Sequence, residues 1–111
     1  IDLLDAGEAK RTFCYISDAV EMMWYIILCG KLGCYNVGGV STVKIRELAR
    51  LIGKTLDVPV SVPKKKAGVA GAPAAVRLDL GRLLSEYRKK NFVGLEEGLE
   101  RTVAWHKNLA S

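Results

Sequence analysis

The sequence has few of the residues from which metal and redox sites are usually built. Its 111 residues include one histidine and three cysteines, and Cys14, Cys29 and Cys34 lack C-x-x-C spacing. We therefore expect no metal site. Because disulfides are rare in the cytosol, we interpret the cysteines as reduced core residues of a cytoplasmic protein.

Long apolar runs are also lacking. The run from Met22 to Cys29 is far shorter than the roughly 20 residues that a membrane-spanning helix needs, and no secretory signal is visible. The net charge is +5, but the one basic run, Lys64 to Lys66, has no interleaved aromatic residues on which bases could stack. We interpret it as a solvated loop, and we expect neither a membrane nor a nucleic-acid partner.

Half of the residues are hydrophobic, which excludes a disordered tail and predicts a folded chain. A chain of this length forms one domain, spanning residues 1–111. It begins with Ile1 rather than Met, which suggests a processed or truncated piece.

Hydrophobic periodicity predicts an α+β fold with a small mixed sheet of short strands and about four helices. A loop of about a dozen residues, 64–75, interrupts the pattern because it has two glycines, a proline and no periodicity. The predicted strands are 1–4, 11–16, 34–37, 60–62 and 76–78, and the predicted helices are 19–29, 43–56, 80–89 and 95–109.

Helix starts are predicted from capping residues: Ser17 and Asp18 for the first helix, Ser41 or Thr42 for the second, and Asp79 for the third. The segment 19–29 is apolar almost all round, which predicts a helix buried on most of its surface. Such a helix packs on a sheet on one side, and its other side is covered either by a domain missing from this chain or by a tightly packed small core. The expected buried face of the last helix is Leu95, Leu99, Thr102, Val103 and Trp105.

Two motifs in the first third of the chain are more specific than its composition. The first is R-T-F-C-Y-I-S-D from Arg11 to Asp18, and the second is N-V-G-G from Asn36 to Gly39. Together with T-V-K-I-R-E-L-A from Thr42, V-R-L-D ending at Asp79, and L-E-E-G-L from Leu95, they resemble the NAD-dependent nucleotide-sugar epimerase/dehydratase family. The five motifs occur in the family's order and cover nearly the whole chain.

The resemblance is to the carboxy-terminal, substrate-binding part of these extended short-chain dehydrogenases. It implies a domain that holds the nucleoside diphosphate of a sugar nucleotide while the sugar faces NAD. The cofactor would be bound by a Rossmann domain absent from this chain. The implied partners are a nucleotide-diphosphate sugar and that Rossmann domain, and exposed apolar surface would allow a homo-oligomer.

Three residues are the predicted substrate ligands. Arg11 corresponds to the arginine of the first motif, and an arginine fork suits the diphosphate because it can bind two phosphate oxygens at once. Asn36 would donate its amide to a phosphate or ribose oxygen; alternatively, it bonds its own backbone in a turn. If the strands carrying them are neighbours, the two side chains could face one ligand. The family's usual second arginine is replaced by Ala72 to Ala75, which leaves Arg77 as the candidate.

Catalytic residues are not expected in this chain. It lacks a glycine-rich turn between a strand and a helix, and none of its tyrosines is followed four residues later by lysine, the family's catalytic spacing. The sequence therefore predicts a substrate-binding portion that is catalytically inactive by itself. The alternative is a non-catalytic interaction module derived from the family.

Overall fold

The computed structural model describes residues 1–64 and 73–109, so Lys65, Lys66 and most of the predicted loop lie outside it. Four helices and a two-stranded antiparallel sheet occupy the described part, which confirms the predicted α+β class. In chain order the elements are β1 (Lys10–Phe13), α1 (Ile16–Cys29), β2 (Ser41–Lys44), α2 (Ile45–Leu56), α3 (Gly81–Glu86) and α4 (Leu95–Leu109).

The strand pairing differs from the one predicted. β1 pairs with β2 in the register Arg11–Val43 and Thr12–Thr42, whereas residues 34–37 form no strand. The threonine hydroxyls of the second pair lie 2.9 Å apart, a cross-strand contact typical of β-branched pairs. Residues 41–44, which were expected to cap and begin the second helix, therefore form β2, and α2 begins at Ile45.

The remaining predicted strands are single bridges or are not formed. Asp2 pairs with Ser61 and Lys10 with Ala75, both in parallel, so the pairing is mixed as predicted. Residues 76–78, predicted as a strand, have no regular structure.

The turn before β2 brings Gly39 against the end of β1. A Cβ built on Gly39 would lie 1.9 Å from the carbonyl oxygen of Phe13 and 2.7 Å from the Cα of Cys14. Both are backbone atoms of the strand end, which have no rotamer by which to move aside. Gly39 therefore lies at a close crossing of two chain segments, where a residue without a Cβ is required.

Helix α1 begins three residues earlier than predicted. Tyr15 is its N-cap residue, so Asp18 lies inside the first turn and is not a cap. At the third helix, Leu80 is the N-cap residue and Asp79 precedes it. The Asp79 carboxylate still accepts the N–H of Gly81 at 2.8 Å, a local turn contact typical of aspartate.

The orientation of α1 is the largest departure from the sequence prediction. Its buried residues are Asp18 and Met22, and the predicted burial of most of the helix is wrong. One stripe, spaced at three and four residues, faces outward and is 43–73% exposed. We call it the apolar stripe of α1: Ile16, Val20, Met23, Trp24, Ile27 and Leu28.

An ionic cluster fixes this orientation by holding the opposite face of α1. The Lys89 ammonium lies 3.0 Å from Asp18 and 2.6 Å from Glu21, and the Lys89 and Asp18 side chains are each 5% exposed. Asp18 also accepts the N–H of Val93 at 2.8 Å, and Tyr87 donates to Glu21. Burial by itself would lower the pKa of Lys89, but the hydrogen bonds to Glu21 and Asp18 raise it, so the ammonium stays charged.

The same side of α1 is held by an aromatic contact. The rings of Tyr25 and Tyr87 stack with centroids 4.5 Å apart. Lys89 in turn lies 5.2 Å from the centre of the Phe92 ring, within the range of a cation–π contact. Segment 87–93 therefore covers one face of the helix and leaves the other to solvent.

Helix α4 has the predicted bounds and packs on α2, but its expected buried face is only partly buried. Gly98 is buried, and a Cβ there would lie 3.0 Å from the Tyr15 ring, so its missing side chain lets that ring pack on the helix. Trp105 is 58% exposed, so its expected burial is wrong.

The chain leaves more surface in contact with solvent than a self-contained domain does. Its accessible area is 8149 Å², against about 6,000 Å² for a folded monomer of this size. Among the described hydrophobic residues, the buried core consists of Met22, Ala49, Leu80 and Leu83, of which Met22 and Leu83 are fully buried. The excess area is consistent with the outward-facing apolar stripe.

We predict that Gly39→Ala lowers the free energy of unfolding by at least about 2 kcal/mol, since overpacking against backbone cannot be relieved by a rotamer change. Urea unfolding of both proteins measures it. Gly33→Ala is the matched control, because a Cβ at Gly33 meets nothing within 4 Å. Equal losses for the two variants would contradict the close crossing.

We predict that Asp18→Ala lowers the free energy of unfolding by about 2 kcal/mol, because Lys89 would lose one of its two carboxylate partners and the Val93 N–H would lose its acceptor. Chemical denaturation monitored by circular dichroism measures the loss. Glu100→Ala, an exposed change on α4, is the control and should stay within roughly 0.5 kcal/mol of the wild type. If Asp18→Ala were as stable as that control, the cluster would not anchor α1.

Candidate functional site

A groove along one side of the sheet is lined by one of the three predicted ligands. Arg77, an exposed residue, lines it together with the two paired hydroxyl residues, Thr12 and Thr42. Its volume of about 690 Å³ lies within the range of small-molecule sites. A guanidinium and two hydroxyl groups that line one groove can bind an anion and the polar edge of a sugar.

Asn36 lines a smaller adjoining cleft of about 280 Å³. Its side-chain amide donates a 2.9 Å hydrogen bond to the carbonyl oxygen of Asp79, which fixes the carboxamide in place. Asp79 lines both the groove and the cleft, so it is their common wall. The structure thus brings Asn36 and Arg77 to two adjoining depressions. The alternative, a hydrogen bond of Asn36 to its own backbone in a turn, is not the one formed, because its acceptor at Asp79 is 43 residues away.

Arg11 is differently placed. Its guanidinium donates to the carbonyl oxygens of Lys10 at 2.7 Å and Pro73 at 3.2 Å. Side chains alternate along a strand, so Arg11 shares a face of β1 with Phe13, and Thr12 points to the other face. In the described chain, Arg11 lines neither the groove nor the cleft.

The premise that the strands of Arg11 and Asn36 are neighbours is wrong, since β1 pairs with Ser41–Lys44. Asn36 instead lies in the connection between α1 and β2. The role of Arg11, Asn36 and Arg77 as ligands stays a prediction.

One cation at this site was missed by the sequence reasoning. Arg82, on α3, lines the cleft beside Asn36 and Asp79. Its guanidinium donates a long 3.4 Å hydrogen bond to the carbonyl oxygen of Cys34. The available signal was its position three residues after Asp79, but only the path of the chain from residue 34 to residue 82 brings the two segments together.

Phe13 and Tyr15 line a separate hydrophobic cavity of about 170 Å³ against α4. Arg101 lies 5.6 Å from the centre of the Tyr15 ring, a cation–π contact within the protein. These rings are packing residues, and they do not line the groove of Arg77.

The cysteines are all free thiols, but their predicted place in the core is wrong for two of them. Cys29 and Cys34 are exposed and Cys14 is half-buried. Burial, and to a lesser extent the nearby Asp18, raises the pKa of the Cys14 thiol, which keeps it in the less reactive protonated form. Across residues 1–64 and 73–109, no helix combines the length and apolar character needed to cross a membrane.

No protein-family model matches the chain. Among curated proteins it is 32% identical over 108 residues to dTDP-4-dehydro-6-deoxy-D-allose reductase of Streptomyces bikiniensis, covering 97% of this chain and 32% of the relative. It is also 26% identical over 102 residues to UDP-glucuronic acid decarboxylase 1 of Arabidopsis thaliana, covering 92% of this chain and 23% of that protein. The chain thus spans about a third or less of the length of these relatives.

Solved structures share the fold over nearly the whole chain. UDP-glucuronic acid 4-epimerase of Bacillus cereus, in complex with UDP-glucuronic acid and NAD, superposes with a TM-score of 0.79 at 22% identity, over 97% of this chain and 35% of the epimerase. The dTDP-glucose 4,6-dehydratase of Bacillus anthracis, in complex with NAD, gives 0.78 at 19% identity, over 96% of this chain and 34% of the dehydratase.

The fold of this chain is therefore shared with about a third of each of these solved enzymes. The sequence and structural neighbours of the chain are nucleotide-sugar reductases, decarboxylases, dehydratases and epimerases, and the family resemblance stated from the motifs is confirmed. NAD is bound in structural neighbours of this family, as the resemblance implied.

Proposed function

We propose that this chain is the substrate-binding portion of an NAD-dependent nucleotide-sugar epimerase, dehydratase or decarboxylase of the cytoplasm, and that it holds the nucleoside diphosphate. The observation that carries the proposal is the pair of adjoining depressions in which Arg77 and Asn36 share the wall formed by Asp79. NAD would be bound by a Rossmann domain outside this segment.

The chemistry of the groove suits this ligand. A diphosphate carries close to two negative charges, and the Arg77 guanidinium can offer two parallel N–H groups to its oxygens. Thr12 and Thr42 add hydroxyl groups that can both donate and accept, which suits a ribose or a hexose. Asn36 supplies an amide already oriented by its bond to Asp79.

In this proposal Arg11 binds the diphosphate, which is the role that the family motif implies. Its two hydrogen bonds go to backbone carbonyl oxygens and form no ion pair. An Arg side chain has five N–H donors, so the guanidinium retains donors for a phosphate that approaches the edge of β1.

We predict that the 111-residue chain binds UDP or dTDP weakly and that Arg77→Gln weakens this binding roughly tenfold, because a charge-assisted hydrogen bond contributes about 1.5–3 kcal/mol. Asn36→Ala should weaken it by a smaller factor, as expected for a neutral donor. Titration calorimetry measures both, with Arg50→Gln, an exposed arginine on α2, as the control.

The same chain should transfer no hydride from UDP-glucuronic acid or dTDP-glucose to added NAD, which absorbance of NADH would reveal. Detectable turnover would refute the proposal that this segment binds the substrate while a separate domain binds NAD. Absence of saturable binding for both nucleotides would refute the substrate-binding role itself.

A second candidate, the non-catalytic interaction module, is favoured by the apolar stripe of α1. A helix whose hydrophobic stripe faces solvent while a carboxylate is buried lacks its partner surface. We propose that the Rossmann domain covers the stripe in the full-length enzyme, and that the stripe otherwise drives self-association of this chain.

We predict that the average mass of the chain in solution rises with concentration and that Ile27→Glu abolishes the rise, because a charge in the stripe must be desolvated on association. Light scattering over a dilution series measures this. Arg50→Glu, on the polar face of α2, should behave as the wild type. A concentration-independent monomer for all three proteins would contradict the interaction surface.

A further inference from the structure

We infer that Arg82 is the second cation of the diphosphate site, acting beside Asn36 in the cleft that adjoins the Arg77 groove. This inference rests on the proposed function and names a residue for it. It depends on the juxtaposition of Asn36, Asp79 and Arg82 around one small cleft.

The first argument is position. Arg82 is the second residue of α3, and the carbonyl of Asp79, just before that helix, is the acceptor that holds the Asn36 amide. The amide that the proposed function aims at phosphate and the Arg82 guanidinium therefore line the same cleft of about 280 Å³. Arg77 lines the neighbouring groove on the other side of Asp79.

The second argument is the state of the guanidinium. Its hydrogen bond to the Cys34 carbonyl is 3.4 Å long, near the limit for such a bond, and the residue is exposed. Such a contact holds the side chain over the cleft and is weak enough to be exchanged for a phosphate oxygen. A charge-assisted bond to phosphate is about twice as strong as a neutral one.

The third argument is charge balance. Asp79 places a carboxylate in the shared wall, and one of its oxygens is already bonded to the Gly81 N–H. A diphosphate entering beside that carboxylate needs more than one cation to offset the repulsion. Arg77 and Arg82, one on each side of Asp79, supply two guanidinium groups against one carboxylate.

The test compares Arg82→Gln with Arg50→Gln in titrations of the 111-residue chain with UDP and with uridine. Arg82→Gln should weaken UDP binding roughly tenfold and leave uridine binding as in the wild type, because only UDP carries the diphosphate. Arg50→Gln should change neither. Arg82→Lys should recover part of the UDP affinity, since it restores the charge without the planar fork.

A loss of UDP and uridine binding by equal factors in Arg82→Gln would indicate a structural role and overturn the inference. To keep the test independent of folding, the guanidinium N–H resonance of Arg82 is followed by NMR in the wild-type chain. It should shift on addition of UDP and stay in place on addition of uridine.

The two proposals fail in different ways. If the wild type binds UDP but Arg82→Gln binds it equally well, or the Arg82 resonance does not move, the inference is wrong and the proposed function stands. If the wild type binds neither UDP nor dTDP, the proposed function is wrong and the inference falls with it.

Discussion

The contact of the Lys89 ammonium with Asp18 and Glu21 is the interaction on which the arrangement of this chain depends. It joins α1 to a segment about 70 residues later, and the Lys89 and Asp18 side chains are each 5% exposed. Buried charges are tolerated only when paired and hydrogen-bonded, and here Asp18 also accepts the Val93 N–H. The cluster therefore selects which face of α1 turns inward.

That selection determines what the surface of the chain offers. Because Asp18 and Met22 are inside, the apolar stripe of α1 lies outside, and the accessible area exceeds that of a self-contained domain of this size. A surface of this kind is typical of a domain that packs against another one. The relatives, of which this chain spans about a third or less, are long enough to include such a domain.

The grooves beside Asp79 depend on a different part of the fold. The crossing at Gly39 sets β2 against β1, which aligns Thr12 and Thr42, and the connection between α1 and β2 carries Asn36 to the Asp79 carbonyl. Residues from four separate segments thus meet around one aspartate. The family resemblance implies the ligand, and this is the place where we propose that it binds.

The sequence alone determined the class of fold, the bounds of α4, the end of α2 at Leu56 and the family resemblance, because periodicity, turn residues and ordered motifs are local properties. It assigned Arg11, Asn36 and Arg77 as ligands, which stays a prediction; Arg77 lines the groove and Asn36 the cleft, whereas Arg11 lines neither. Tertiary structure decided the rest. Strand pairing went to Ser41–Lys44 because a ladder is set by the partner strand, and α1 exposed its apolar stripe because Lys89 buries Asp18. Arg82 entered the site for the same reason, since proximity across 40 or more residues is a property of the folded chain.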